Sequence, residues 1–292
     1  MKAGSAGSNP DNATIPIEYP TQALSNFKKT VGRAVFNLNT IVVGLDAVEN
    51  GYPKPDGLDI SWSPPDRKIA ARATRKFAVE AVLVHVSEAL SQYVAALSKL
   101  SQFTDLRKNW DRIQNPTKLE KEKGTKKRDV SNAEKFVDVA SQLIGEKEYR
   151  VSGAALLIHW RNRVVHPNSN AQLKPIQKQL LQKNEKIISE EYSNLSVDCL
   201  LCHFHEKRPT LKDISSLIAM TIKLAHRMDE KIYQSFEKCD VIAWLDHYEI
   251  SEIIEKVKRE SKPEKVEESI KRVFNTHAPK LKDHYFEFRL LG

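Results

Sequence analysis

Arg161, Asn162 and His166 are the residues of this chain whose types and spacing can do chemistry. They stand in the stretch Arg161-Asn162-Arg163-Val164-Val165-His166, directly before Pro167. A guanidinium is a permanent cation that grips a phosphate with two parallel N–H bonds. An imidazole is the side chain best suited to moving protons near neutral pH. RNA brings its own nucleophile, the 2′-hydroxyl. Its cleavage needs a base for that proton, positive charge for the phosphorane, and a proton for the leaving 5′-oxygen. His166 fits either as base or as acid. Arg161 fits as the phosphate clamp, and Asn162 as a hydrogen-bond donor to the phosphate or an orienter of His166. The scheme asks for no cofactor and no metal.

The elements around the motif must place it. The run Ala154-Ala155-Leu156-Leu157-Ile158, with His159 and Trp160 after it, is apolar on all sides and predicts a buried helix over residues 151–164. Pro167 disfavours helical geometry at His166, so the imidazole is expected at a helix end. On an uninterrupted helix, residues five apart point about 140° away from each other. A terminus lets them converge.

Arg-x4-His with a polar residue after the arginine, closing an apolar helix in a helical chain, resembles the signature of the HEPN superfamily. The helix over residues 77–100, with Ser87-Glu88-Ala89-Leu90-Ser91-Gln92-Tyr93-Val94, is similar to the family's early helix, and that over residues 210–236 resembles its last one. The resemblance covers residues 67–238. It implies an antiparallel helical bundle acting as a metal-independent endoribonuclease. It also implies a homodimer in which two motifs meet across a two-fold axis, since one motif holds only one titratable histidine. The expected products carry a 2′,3′-cyclic phosphate or its hydrolysed form, and a 5′-hydroxyl. The implied setting is a toxin or phage-defence effector restrained by a regulatory or antitoxin protein. Two other readings fit the same residues: a non-catalytic HEPN-like scaffold binding RNA or protein, and a helical interaction protein in which Arg161 and His166 are structural. Glu80 and Glu88, on the helix beginning near Asp66, are candidates to orient Arg161; the alternative is that both face solvent. His159 is a further candidate, with packing beside Trp160 as its plainer role.

Bulk properties bound the rest. Net charge is +8 and the pI is near 9.2, which favours an anionic partner such as RNA or serves solubility alone. No apolar run approaches the roughly 20 residues of a membrane span, and residues 1–14 lack the apolar core of a secretory signal. A cytoplasmic protein with no membrane partner is the expectation. Three cysteines argue against a disulfide framework. Cys199-Leu200-Leu201-Cys202-His203 matches a haem-attachment pattern, and with His205 a partial zinc set. No second ligand pair accompanies it, so burial of small apolar side chains is the preferred account.

The periodicity predicts a mainly α fold. Residues 1–20 read as a flexible lead, 21–238 as the helical domain and 239–292 as a small C-terminal helical unit. Within these, helices are predicted over residues 21–48, 66–100, 172–192, 197–205 and from 210 onward. A cap at Ser131 opens another, and residues 105–113 read as a short extra helix. The lysine-rich run over residues 117–130 reads as a solvated loop or an RNA contact. Two charged helices lie about Ile250 and Val266. The tail alternates at Phe286, Phe288 and Leu290, as Leu58, Ile60 and Trp62 do, which predicts a two-stranded β element between them.

Overall fold

The computed structural model describes residues 21–97, 132–145, 147–166, 168–234, 241–242, 245–246, 249–278 and 281–290. The lead, Ser131, the short extra helix and the lysine-rich run predicted above lie outside these residues. The protein is mainly α, and among the described residues there is no strand.

Two long helices come first, α1 (Gln22–Glu49) and α2 (Arg67–Leu97). The Thr21 hydroxyl caps α1 by accepting from the Leu24 amide at 3.1 Å. Thr21 also ties the helix to the body: its amide and hydroxyl donate to the buried Asp229 carboxylate at 3.1 and 2.5 Å. Leu24, Phe27, Val31, Ala34 and Leu38 form the inner stripe at the 3.6-residue period. Asp66 starts α2 as expected, its Oδ1 accepting from the amides of Lys68 and Ile69 at 2.7 and 3.1 Å. The outer face of α1 is open, with Phe36 70 % and Val43 71 % exposed. By length and composition α1 is apolar enough to cross a membrane, contrary to the expectation that no segment is. The reason is that residues 34–48 hold one charge, Asp46, among scattered Asn and Thr.

The centre is α4 (Tyr149–Val165), which touches α2, α3 (Asn132–Ile144), α5 (Pro175–Lys183) and α8 (Leu211–Gln234). Every residue from Tyr149 to Trp160 is buried, as an all-round apolar helix requires. Gly153 permits the close approach of α8: a Cβ there would sit 2.8 Å from Met220 Sδ. The Tyr93 hydroxyl of α2 donates to the Ala225 carbonyl of α8 at 3.0 Å, and the Phe27 and Tyr93 rings lie 5.5 Å apart.

Two predictions are corrected. The helix predicted over residues 172–192 is two helices, α5 and α6 (Glu185–Glu191). Pro175 can only open a helix, so Gln172, Leu173 and Lys174 stay outside it. Asn184 then breaks the run by donating its side-chain amide to the Leu180 carbonyl at 2.7 Å. The predicted pair of strands is absent. Residues 282–290 form a helix, α11 (Lys282–Leu290), preceded by α9 (Ile250–Glu260) and α10 (Val266–His277). Tyr285 and Phe286 are consecutive, yet both rings meet Phe274 of α10, at 4.7 and 6.2 Å. A half-buried strand would send consecutive residues to opposite faces. Residues 58–62 form an unpaired loop, where Lys54 Nζ satisfies the carbonyls of Leu58 and Ile60 at 3.0 Å each.

Candidate active site at the end of the central helix

The helix carrying the motif stops where Pro167 requires. His166 is the C-cap residue of α4, with φ −121° and ψ 94°, outside the helical region. Its amide still donates to the Asn162 carbonyl at 3.0 Å, and its carbonyl accepts from Ser169 at 2.8 Å. The imidazole itself is exposed and has no hydrogen-bond partner among the described residues. One turn back, Arg161 and Asn162 are partly exposed. The Arg161 guanidinium donates to Asn162 Oδ1 at 3.3 Å and makes no ion pair among the described residues. The cation, the amide and the imidazole are thus presented at one helix end with most of their hydrogen-bonding capacity unused. Glu80 and Glu88 do not bond Arg161: Glu80 lies 3.8 Å from Lys76 on α2, and Glu88 is exposed.

Arg163, which the sequence reading passed over, is the structural arginine. It is buried, and its Nε and Nη1 donate to the carbonyls of Ala171 and Phe204 at 2.7 and 2.8 Å. Its guanidinium lies 3.9 Å from the centre of the Phe204 ring, and Trp160 meets that ring edge-on at 5.5 Å. Burial pulls its pKa below the ordinary arginine value. The spacing carried the signal: residues two apart on a helix point about 200° apart, so Arg161 and Arg163 must leave α4 on opposite sides.

His159 sits inside the core with Nδ1 unbonded. Burial lowers its pKa to about 4; Glu134 opposes this, while Arg163 and Lys174 add to it. It is a neutral core residue next to Trp160, whose indole N–H is also unpartnered.

Beyond Arg163 a cavity of about 400 Å³ opens, lined by Gln172, Lys178, Asp198, Cys202, Phe204 and Glu206 among others. Its far wall is α7 (Val197–His205), capped by the Ser196 hydroxyl, which accepts from Cys199 at 3.3 Å. Val197, Leu200 and Phe204 take the inner face of α7, so Cys199 and Cys202 are exposed rather than buried, which corrects the expectation. His203 points the other way, its Nδ1 2.9 Å from the buried Asp213 that also accepts from Thr210. Among the described residues no group of three or more His, Cys, Asp or Glu is placed to hold a metal.

No family model matches this chain, and neither a curated protein nor a solved structure matches it.

Proposed function

We propose that this chain is a HEPN-like endoribonuclease whose site is Arg161, Asn162 and His166, completed by a second copy of the chain. The observation that carries the reading is the contrast within one helical turn. Arg163 spends its donors on Ala171 and Phe204. Arg161 and His166 hold nothing else in place: one makes a single 3.3 Å bond to its neighbour, and the imidazole of the other is exposed. A permanent cation and a proton carrier left available at a helix end are suited to a phosphodiester.

In the proposed reaction the 2′-oxygen attacks the adjacent phosphorus and loses its proton to one imidazole. The P–O5′ bond breaks, and the 5′-oxygen takes a proton from the second copy's imidazole. Arg161 neutralises the phosphorane, and Asn162 adds a hydrogen bond to the phosphate or to the ring. The net charge of +8 favours an RNA substrate. Free activity of this kind is toxic to its own cell, so the reading includes a toxin or phage-defence role under the restraint of a partner protein. Incubating the purified chain with total RNA in excess EDTA tests the activity. Cleavage supports it; RNA binding without cleavage replaces it with a binding scaffold.

A further inference from the structure

Cys199 and Cys202 stand one turn apart on the outer face of α7, both free and both exposed. Neither has a packing role, because Val197, Leu200 and Phe204 supply the inner face of that helix. Cysteine is among the most buried residue types, so two open thiols on one turn call for a chemical account. Their surroundings differ. Cys202 Sγ lies 3.6 Å from Glu206 Oε1 and donates to it, and among the described residues the Cys199 thiol makes no such bond. The Glu206 charge, followed by burial and by the hydrogen bond to Glu206, holds the Cys202 thiol above its ordinary pKa. Cys199, which lacks that carboxylate contact, is therefore the attacking sulfur and Cys202 the resolving one.

The spacing allows the two sulfurs to join. Side chains three apart on a helix have Cβ atoms about 5–6 Å apart. A disulfide wants them at about 4 Å, so closure draws one turn in by about 1–2 Å. A bond made at that cost is readily reduced, which suits cycling rather than stapling.

We propose that Cys199 and Cys202 are a redox-active dithiol that exchanges with low-molecular-weight disulfides. The Cys199 thiolate attacks one sulfur of the reagent disulfide, and the other sulfur leaves as a thiolate. Cys202 gives up its proton to solvent and attacks the Cys199 sulfur of the mixed disulfide. The second reagent thiolate then leaves. Two cysteine thiols are oxidised by two electrons, and one reagent disulfide is reduced to two thiols. Cys202 lines the cavity that Arg163 also lines, so oxidation changes a wall of that cavity.

The experiment equilibrates the full chain, and its Cys239→Ser variant, with mixtures of reduced and oxidised glutathione. Remaining thiols are alkylated and the intact mass is read. The expected result is loss of two hydrogens in both proteins, reversed by dithiothreitol and mapped to the peptide holding Cys199 and Cys202. Cys202→Ser should instead accumulate a glutathione adduct on Cys199, about tenfold above wild type, because the resolving thiol is gone. Far-UV circular dichroism confirms that each variant is folded. A lasting glutathione adduct on the wild type without loss of two hydrogens overturns the proposal. So does a disulfide that forms only when Cys239 is present, or no oxidation in fully oxidised glutathione.

Discussion

The guanidinium of Arg163 lies 3.9 Å from the Phe204 ring centre while donating to the Phe204 carbonyl, so one residue joins the end of α4 to the end of α7 twice. A third bond, to Ala171, fixes the loop that follows His166. The motif thus contains its own anchor. Arg163→Ala leaves the buried Phe204 carbonyl and the half-buried Ala171 carbonyl without their donor and removes a cation from an aromatic face. The expected loss of stability is about 3 kcal/mol, read as a shift of the denaturant midpoint at unchanged slope. Arg161→Ala, at a partly exposed position with one weak bond, should cost less than about 0.5 kcal/mol. Equal losses from the two substitutions would remove the distinction between anchor and site.

Acid should weaken the protein through His159. Its folded pKa of about 4 lies below the ordinary histidine value of about 6.5, so the unfolded chain binds the proton more readily. The contribution is complete above about pH 6.5 and is lost as pH falls toward 4. By its size the shift amounts to at most ~3 kcal/mol. His159→Phe should flatten the stability profile between pH 4 and 6.5. Glu191 acts in a separate window. Burial would raise its pKa, but hydrogen bonds from Lys223 and Arg150 overcome this and hold it at about 2. Its contribution is lost only between about 4.5 and 2. Chemical denaturation across pH separates the two windows, and an unchanged slope above pH 4.5 in His159→Phe would contradict the assignment.

Thr21 closes the first helix onto the last of the main body. Thr21→Ala removes the cap on Leu24 and one of the two bonds to the buried Asp229. A loss of about 2 kcal/mol is expected, from a cap and a charge-assisted hydrogen bond together. Hydrogen exchange in α1 should rise with it. If α1 keeps its protection in the variant, Thr21 is not what holds that helix.

The composite site has its own test. When an excess of His166→Ala chain is mixed with wild type, activity per wild-type subunit should fall, because mixed dimers lack one imidazole. Light scattering should give twice the chain mass. Full activity from a monomer would exclude a shared site.

Much of the fold is legible in the sequence, and particular residues show why. The 3.6-residue stripe from Leu24 to Leu38, the Asp66 cap and the apolar run before Trp160 each have one local solution. Pro167 sets the end of the motif helix and so the exposure of His166. The failures have equally local causes. Alternation at Phe286, Phe288 and Leu290 spans too few residues to distinguish period 2 from a short amphipathic helix, and the ring of Phe274 decided it. Cysteine's habit of burial outweighed the stripe Val197-Leu200-Phe204, which already filled the inner face of α7. Glu80 and Glu88 were placed on the right helix. Which carboxylate reaches an arginine on another helix depends on helix rotation, which spacing alone leaves open.

The most direct measurement of the central claim is the chemistry of the RNA ends. Wild type and His166→Ala, matched for melting temperature, are incubated with a defined single-stranded RNA in EDTA, and the fragments are mapped. The account predicts fragments from wild type alone, with 2′,3′-cyclic phosphate at one end and a 5′-hydroxyl at the other. Intact RNA with wild type, equal cleavage by His166→Ala, or 5′-phosphate ends would contradict it.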